Sequence, residues 1–176
     1  AVVTAPISKQ SWKLAGYHFP GHTELFAQRT GSRRYAMMFA GGPLKVVLAT
    51  VHIGLNSLWG RLNIGAVFQP IELIHEALVN WFDIPKPRIA IAGLNPHAGE
   101  GGLIGREELE LITPVVQELA AEGLDVLGPY SADTLFLAEA RAAYDACVAM
   151  YHDQALIPLK TLAFDRGVNV TLGLPF

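Results

Sequence analysis

The stretch Ile89–Glu108, IAIAGLNPHAGEGGLIGREE, decides the fold of this chain. Its first five residues are apolar, which predicts a buried strand that ends at Gly93. A glycine-rich loop follows, and Arg106-Glu107-Glu108 then predicts the first turn of a helix, where acidic side chains are favoured. The strand therefore presents a histidine, His97, and a glutamate on a glycine-rich loop. In open α/β sheets, ligands bind at this carboxyl end of the strands.

Composition limits the classes of protein that fit. The chain has 176 residues, of which 51% are hydrophobic, and this suits one ordinary domain, or one lobe plus part of a second. Charged residues make up only 16%, the net charge is −3, and no long run of Lys or Arg occurs. We therefore expect no nucleic-acid partner and no membrane-surface role. The sequence also lacks an apolar run of about 18 residues, so no membrane span is expected.

The single cysteine, Cys147, bears on the compartment. One cysteine cannot form an internal disulfide, so a reducing cytoplasm is the expected location. Cys147 lies in an apolar stretch, which favours a role as a small buried hydrophobic side chain.

Apolar runs alternate with amphipathic segments along the chain, which predicts an α/β fold with a mostly parallel sheet and flanking helices. Gly128-Pro129 is interpreted as a turn, residues 156–162 as the approach to a loop, and Val2 to Thr4, at the end of an Ala1–Thr4 stretch, as a strand end. The predicted helices are residues 9–14, 23–28, 66–82, 107–121 and 131–143. The predicted strands are residues 34–39, 44–51, 89–93, 124–127, 146–151 and 167–172, the first two forming a hairpin or neighbouring strands.

Three histidines share one local setting. His52, His97 and His152 each follow an apolar strand, so in a parallel sheet all three would lie at the same edge. Neutral imidazoles bind zinc and similar divalent ions, and three of them with an open position are typical of a catalytic metal. Because the spacing is not a local motif, the alternative of three independently hydrogen-bonded loop histidines stays open.

Several other polar residues can be interpreted either as functional or as structural residues. His22 and Thr23 stand at a loop-to-helix junction, where they could present donors to an anion such as phosphate or simply cap the helix. Asp153 and Gln154, next to His152, could orient a ligand or take a proton, or they could cap the next turn. Lys160 could neutralise phosphate and Asn169 could bind a hydroxyl, or both could be solvated. The run GEGGLIG is not a dinucleotide fingerprint, because it lacks the required context.

Several long motifs resemble one family in the same order along the chain. GLNPHAGEGG, GPYSADTLF, AMYHDQALIPLK and GVNVTLGLPF, together with TAPISK and PGHTE, are similar to the 4-hydroxythreonine-4-phosphate dehydrogenase family of pyridoxal phosphate biosynthesis. The resemblance covers essentially all of residues 1–176 and implies an isocitrate/isopropylmalate dehydrogenase-like fold. Family members are longer. We therefore expect this chain to be a fragment comprising the central and C-terminal part of a two-lobed protein, without the N-terminal third or the C-terminal tail.

The resemblance also assigns roles to residues. It implies that His52 and His97 bind a divalent metal (Zn, Mg or Co) together with His152 from the other subunit of a homodimer. It implies substrate binding by His22, Thr23, Lys160 and Asn169. Asp153 and Asp133 are the candidates for the general base, and neither spacing nor composition selects one of them.

The implied reaction is oxidation of 4-phosphooxy-L-threonine by NAD or NADP, followed by decarboxylation to 3-amino-2-oxopropyl phosphate, a step of pyridoxine 5'-phosphate biosynthesis. The motifs do not separate this enzyme from a paralogous dehydrogenase for erythronate or threonate 4-phosphate. A metal-dependent hydrolase with a three-histidine site and a non-catalytic remnant that keeps the fold are further alternatives.

Overall fold

The structure, a computed structural model, describes residues 2–176 and is built around one six-stranded sheet with the order β4-β3-β5-β2-β1-β6. Strands β4, β3, β5 and β2 pair in parallel, and β1 pairs antiparallel with both β2 and β6. The strands are β1 (Ala36–Gly41), β2 (Leu44–Leu48), β3 (Arg88–Ala92), β4 (Asp125–Tyr130), β5 (Ala146–Ala149) and β6 (Val168–Leu172). The α-helices are α1 (Lys9–Leu14), α2 (His22–Thr30), α3 (Ile64–Phe82), α4 (Thr113–Ala121), α5 (Ala132–Leu135), α6 (Ala138–Arg141) and α7 (His152–Ala163).

Both faces of the central strands are buried, which explains why these strands are apolar without alternation. Ile89 and Ile91 of β3 point into a core formed with α3 and α4. Ala90 and Ala92 point to the other side, into a second core formed with α7. The expected α/β class with a mostly parallel sheet and helices on both faces is therefore confirmed.

Local signals set the ends of the long helix α3. The Asn63 side chain accepts a hydrogen bond from the Ala66 N–H at 3.0 Å, which satisfies one of the free donors of the first turn. Asp83 ends the helix in the left-handed conformation with φ 54°. The helix buries the stripe that the sequence predicts, including Val67, Ile71 and Leu78.

The helix predicted for residues 107–121 forms in two parts. A π-helical turn occupies Glu108–Ile112, and α4 continues from Thr113. The wide turn ends just before Pro114, which has no N–H to donate to the preceding turn. Pro114 therefore accounts for the irregular start of this helix.

The interpretation of residues 156–162 as the approach to a loop is wrong. They form the second half of α7, and Pro158 lies inside the helix. The helix tolerates this proline because Leu156 and Leu159 are buried against the sheet, so tertiary packing outweighs the missing backbone hydrogen bond.

Three further predictions need correction. The Gly128-Pro129 dipeptide lies within β4 rather than in a turn, because β4 is an edge strand whose register against β3 shifts there. The helix predicted for residues 131–143 is broken into α5 and α6, and the Phe136 carbonyl at the break accepts a hydrogen bond from Arg141 Nε at 3.0 Å. Residues 2–4 form no strand, because they are exposed and no strand of the described chain pairs with them; Ala1 lies outside the described residues.

Within residues 2–176, no helix is both long enough and apolar enough to cross a membrane.

The thiol of Cys147 provides a test of the core. Cys147 is 0% exposed, and burial raises its pKa to about 12. We expect no reaction with a maleimide or iodoacetamide in the folded protein at pH 8, and complete reaction after denaturation. Mass spectrometry of the labelled protein measures both states. Rapid labelling of the folded protein would contradict the packing of β5 described above.

Candidate functional site

The strands that precede the three histidines are direct neighbours. Val148 of β5 is paired in parallel with Val47 of β2 on one side and with Ile91 of β3 on the other. His52, His152 and His97 follow these strands, so all three begin from the same carboxyl edge of the sheet. The prediction that the strands before the three histidines end at one edge of the sheet is therefore confirmed.

One chain brings two of the three imidazoles close together. The ring centroids of His52 and His152 are 5.4 Å apart. Across residues 2–176, no group of three or more His, Cys, Asp or Glu side chains is close enough to hold a metal ion. Since the predicted site takes His152 from a second subunit, a single chain leaves the predicted ligand set untested.

The surroundings of His52 favour a neutral imidazole. Partial burial lowers its pKa, and the nearby Lys9 and His152 lower it further, while Glu24 acts in the opposite direction. His152 has its Nδ1 atom 2.7 Å from Oδ1 of Asp153. This contact orients the His152 ring and leaves its other nitrogen available. A neutral ring with a free nitrogen is the form that binds a metal.

His97 lies in a strained loop. Six successive residues, from His97 to Gly102, have positive φ. The angles are 52°, 52°, 77°, 45°, 67° and 96° in chain order. For the three residues that carry a Cβ, this left-handed conformation costs roughly 1–2 kcal/mol each. Such strain persists only where the surroundings fix the loop, and it is common at functional sites.

The carboxylate of Glu108 fixes this loop. Glu108 is 2% exposed, and its Oε1 atom accepts hydrogen bonds from the N–H groups of Leu94 and Asn95, both at 2.7 Å. Its Oε2 atom accepts a third hydrogen bond from Asn95 Nδ2 at 2.9 Å. Sequence reasoning treated Glu108 only as a first-turn acid of the following helix, since nothing local in the sequence signals its burial.

A second residue that the sequence did not single out is Glu24 in α2. Its Oε2 atom is buried and has no hydrogen-bond partner within residues 2–176. Its charge raises the pKa of His52, so the carboxylate lies close to the candidate site. The motif PGHTE contains this glutamate and was the available signal.

The predicted substrate pair His22 and Thr23 opens α2. His22 packs edge-on against Trp12, with centroids 5.2 Å apart, and stacks on Phe26 at 5.9 Å. Thr23 is buried, and its hydroxyl is 2.8 Å from that of Thr171 in β6. The alternative of a side-chain cap is wrong, because the N-cap position is Gly21 and makes no such bond.

Both candidate bases line one cavity of about 430 Å³, together with Gln154 and the apolar side chains of Phe136 and Ile157. Asp133 accepts a hydrogen bond from the Ser131 hydroxyl, which lowers its pKa, and His97 lowers it further. A general base works best when its pKa is near the operating pH, so this environment weakens Asp133 as a base.

Lys160 and Asn169 lie away from the strand ends that precede His52, His97 and His152. Lys160 is exposed in the last turn of α7, eight residues after His152, which corresponds to about 12 Å of helix. Asn169 is exposed in β6 and paired with Phe39, well before the strand end. One chain therefore does not assemble them with the strand-end histidines, and their predicted role is untested.

This architecture is that of an α/β dehydrogenase fold. A crystal structure of 4-hydroxythreonine-4-phosphate dehydrogenase from Klebsiella pneumoniae is similar, with a TM-score of 0.88 and 46% identity over 98% of this chain and 52% of that one. A terephthalate 1,2-cis-dihydrodiol dehydrogenase from Burkholderia xenovorans LB400 is also similar, with a TM-score of 0.81 and 33% identity over 94% of this chain and 52% of that one.

The sequence narrows the class to one family. The model of the family described as "Pyridoxal phosphate biosynthetic protein PdxA" matches residues 1–176, and the chain belongs to this family. A 4-hydroxythreonine-4-phosphate dehydrogenase from Desulforapulum autotrophicum is 53% identical over 175 residues, which are 99% of this chain and 52% of the relative. The chain thus spans about half the length of the relatives it matches, and the resemblance stated from the motifs is confirmed.

A matched pair of glycine substitutions tests the loop geometry. A Cβ at Gly99 would lie 2.6 Å from Glu108 Oε2 and 2.9 Å from the Gly105 carbonyl oxygen, whereas a Cβ at Gly101 would meet nothing within 4 Å. Both positions have positive φ, so Gly101→Ala should cost about 1 kcal/mol of unfolding free energy. Gly99→Ala should cost roughly 1–3 kcal/mol more because of the overlap. Denaturant unfolding curves measure both, and equal losses would contradict the described contact.

Proposed function

We propose that the protein containing this chain is a metal-dependent, NAD(P)-linked dehydrogenase that oxidises and decarboxylates 4-phosphooxy-L-threonine to 3-amino-2-oxopropyl phosphate. Membership in the family and the names of relatives near 50% identity support this proposal. The structural observation that carries it is the common carboxyl edge of β2, β3 and β5, from which His52, His97 and His152 all start. We further propose a cytoplasmic homodimer, in which this 176-residue chain forms the central and C-terminal part of a longer two-lobed subunit.

We propose that His52, His97 and the partner subunit's His152 hold a divalent ion such as Zn, Mg or Co. The donors suit such an ion, because the site offers imidazoles in an environment that favours the neutral form of His52. When bound, the ion would polarise the oxygen of the substrate alcohol and supply a positive charge beside the developing carbonyl group.

The other roles fall to the chain's own side chains. Asp153 accepts the Nδ1 proton of His152 and so fixes the tautomer and orientation of that ring. His22, Thr23, Lys160 and Asn169 would bind the phosphate and hydroxyl groups, which places the reacting carbon for hydride transfer. Since Lys160 and Asn169 lie away from the strand ends that precede the histidines of their own chain, they would serve the site of the partner subunit. Asp153 or Asp133 would take the alcohol proton. The hydrogen bond from Ser131 lowers the pKa of Asp133 and makes it a weaker base.

One observation favours a second candidate function. The similar fold with 33% identity carries the name of a dihydrodiol dehydrogenase, so this architecture is found with more than one substrate. A paralogous dehydrogenase acting on erythronate or threonate 4-phosphate is therefore the alternative. Turnover of a panel of phosphorylated hydroxy acids by the full-length protein separates the two. A metal-dependent hydrolase is a different class, and metal-dependent formation of NADH or NADPH from the substrate would exclude it.

His97→Ala in the full-length protein tests the metal site. We expect loss of metal-dependent NADH or NADPH formation and loss of bound divalent metal, because one of three ligands is removed. Metal content by mass spectrometry and nucleotide absorbance measure the two effects. His75→Ala serves as the control, since His75 lies in α3 outside the proposed ligand set and should keep both properties. Unchanged activity and metal content in His97→Ala would reject the assignment.

A mixing experiment tests whether the site is shared between subunits. His97→Ala and His152→Ala should each be inactive alone. If each site combines His97 of one subunit with His152 of the other, a heterodimer of the two variants contains one intact site. Random mixing of subunits should then restore about a quarter of the wild-type activity. No recovery after verified subunit exchange would show instead that one chain supplies both residues.

A further inference from the structure

Buried polar side chains are concentrated at the histidine-bearing edge of the sheet. Within residues 2–176, the buried polar or charged residues are Thr23, Thr50, Glu108 and Gln154. All of these except Thr23 lie where β2, β3 and β5 end or in the helix that follows the His97 loop. A buried polar group is costly unless it is hydrogen-bonded, so each of these side chains needs a partner.

The partners form a chain of hydrogen bonds across the three strand ends. The Thr50 hydroxyl donates to the Met150 carbonyl oxygen at 2.7 Å and so joins the end of β2 to that of β5. The Met150 N–H donates to Gln154 Oε1 at 2.6 Å, and Gln154 Nε2 donates to the Gly93 carbonyl oxygen at 2.7 Å, which joins β5 to β3.

The chain of contacts continues into the His97 loop. The residues after Gly93 donate their backbone N–H groups to Glu108, as described above. We name Thr50, Gln154 and Glu108 the edge brace. It fixes the backbone two residues before each candidate ligand: Thr50 before His52, Met150 before His152 and Asn95 before His97.

We propose that the edge brace is a set of positioning residues for the metal ligands. Within one subunit it holds His52 and His97 in the arrangement needed to bind a divalent ion, and it holds His152 for the equivalent site of the partner subunit. This inference rests on the proposed function, because it assumes the metal site described there. The side chains of the brace act through the backbone and do not touch the ion.

The regularity of the anchoring argues for this role. A short side-chain hydrogen bond joins the end of β2 to that of β5, and another joins the end of β5 to that of β3, in addition to the backbone ladder. Apolar side chains would suffice to fill the same volume, whereas hydrogen bonds to specific backbone atoms also fix direction. Displacing partners that orient metal ligands typically lowers metal affinity by 10–100-fold.

Two substitutions in the full-length protein separate positioning from stability. Thr50→Val keeps the shape of the side chain and removes the hydroxyl, while Thr50→Ser restores the donor. Gln154→Met removes both hydrogen bonds that join β5 to β3. The control is Asp145→Asn, because Asp145 accepts hydrogen bonds from Arg88 at the opposite, amino end of the same two strands.

The readouts are the affinity for Co²⁺ by calorimetry, the visible spectrum of bound Co²⁺ and the unfolding temperature of the metal-free protein. We expect Thr50→Val and Gln154→Met to weaken Co²⁺ binding about 10–100-fold and to change its spectrum. Thr50→Ser should recover most of the affinity. Asp145→Asn should lower the unfolding temperature and leave affinity and spectrum unchanged.

Wild-type affinity and spectrum in both Thr50→Val and Gln154→Met would overturn the positioning role while leaving the metal site intact. An equal loss of affinity in Asp145→Asn would also overturn it, because general destabilisation would then account for the effect. Absence of Co²⁺ binding to the wild-type protein would instead reject the proposed metal centre, and the positioning role with it.

Discussion

Parallel pairing between β3, β5 and β2 is the interaction on which both the core and the candidate site depend. The ladder aligns Val47, Val148 and Ile91 at one level across the three strands. Because the strands run in the same direction and end together, the segments that follow them must leave from one edge. Helices α3 and α4 on one face and α7 on the other bury the strands completely, so the edge cannot slip by a residue without exposing the core.

In the candidate site, backbone strain in the His97 loop is offset by hydrogen bonds to the buried carboxylate of Glu108. The loop that carries His97 has successive residues with left-handed backbone conformations, which no local preference of His97, Ala98 or Glu100 would select. The carboxylate of Glu108 compensates by binding the backbone where the loop leaves β3. A buried carboxylate with several N–H partners is well satisfied, whereas the same group without them would destabilise the fold. Loop and carboxylate therefore depend on each other.

Much of the fold could be predicted because its signals are local. Apolar runs marked the strands. Residue types that favour helix ends stand where helices begin or end, with Ser8 at the N-cap of α1 and Gly31 at the C-cap of α2. The sequence misled where tertiary packing outweighed local preference. Pro158 obscured the second half of α7, which forms because its apolar side chains pack on the sheet.

The site could be predicted only in part. The shared edge of the three histidines followed from the strand pattern, but their convergence depended on the family resemblance. Glu108 and Gln154 escaped notice as anchoring residues because their backbone partners, Leu94 and Gly93, are 14 and 61 residues away along the chain. No periodicity or motif encodes such contacts. Lys160 and Asn169 lie away from the strand ends that precede the histidines of one chain, so a single subunit does not define their role.

Pro129 in the edge strand β4 has a consequence for solubility. The outer side of an edge strand exposes unpaired N–H and C=O groups, which can recruit strands from other molecules and start aggregation. Pro129 lacks an N–H, and the register shift near it bends the strand away from regular geometry. This border of the sheet is therefore a poor template for pairing with strands of other molecules.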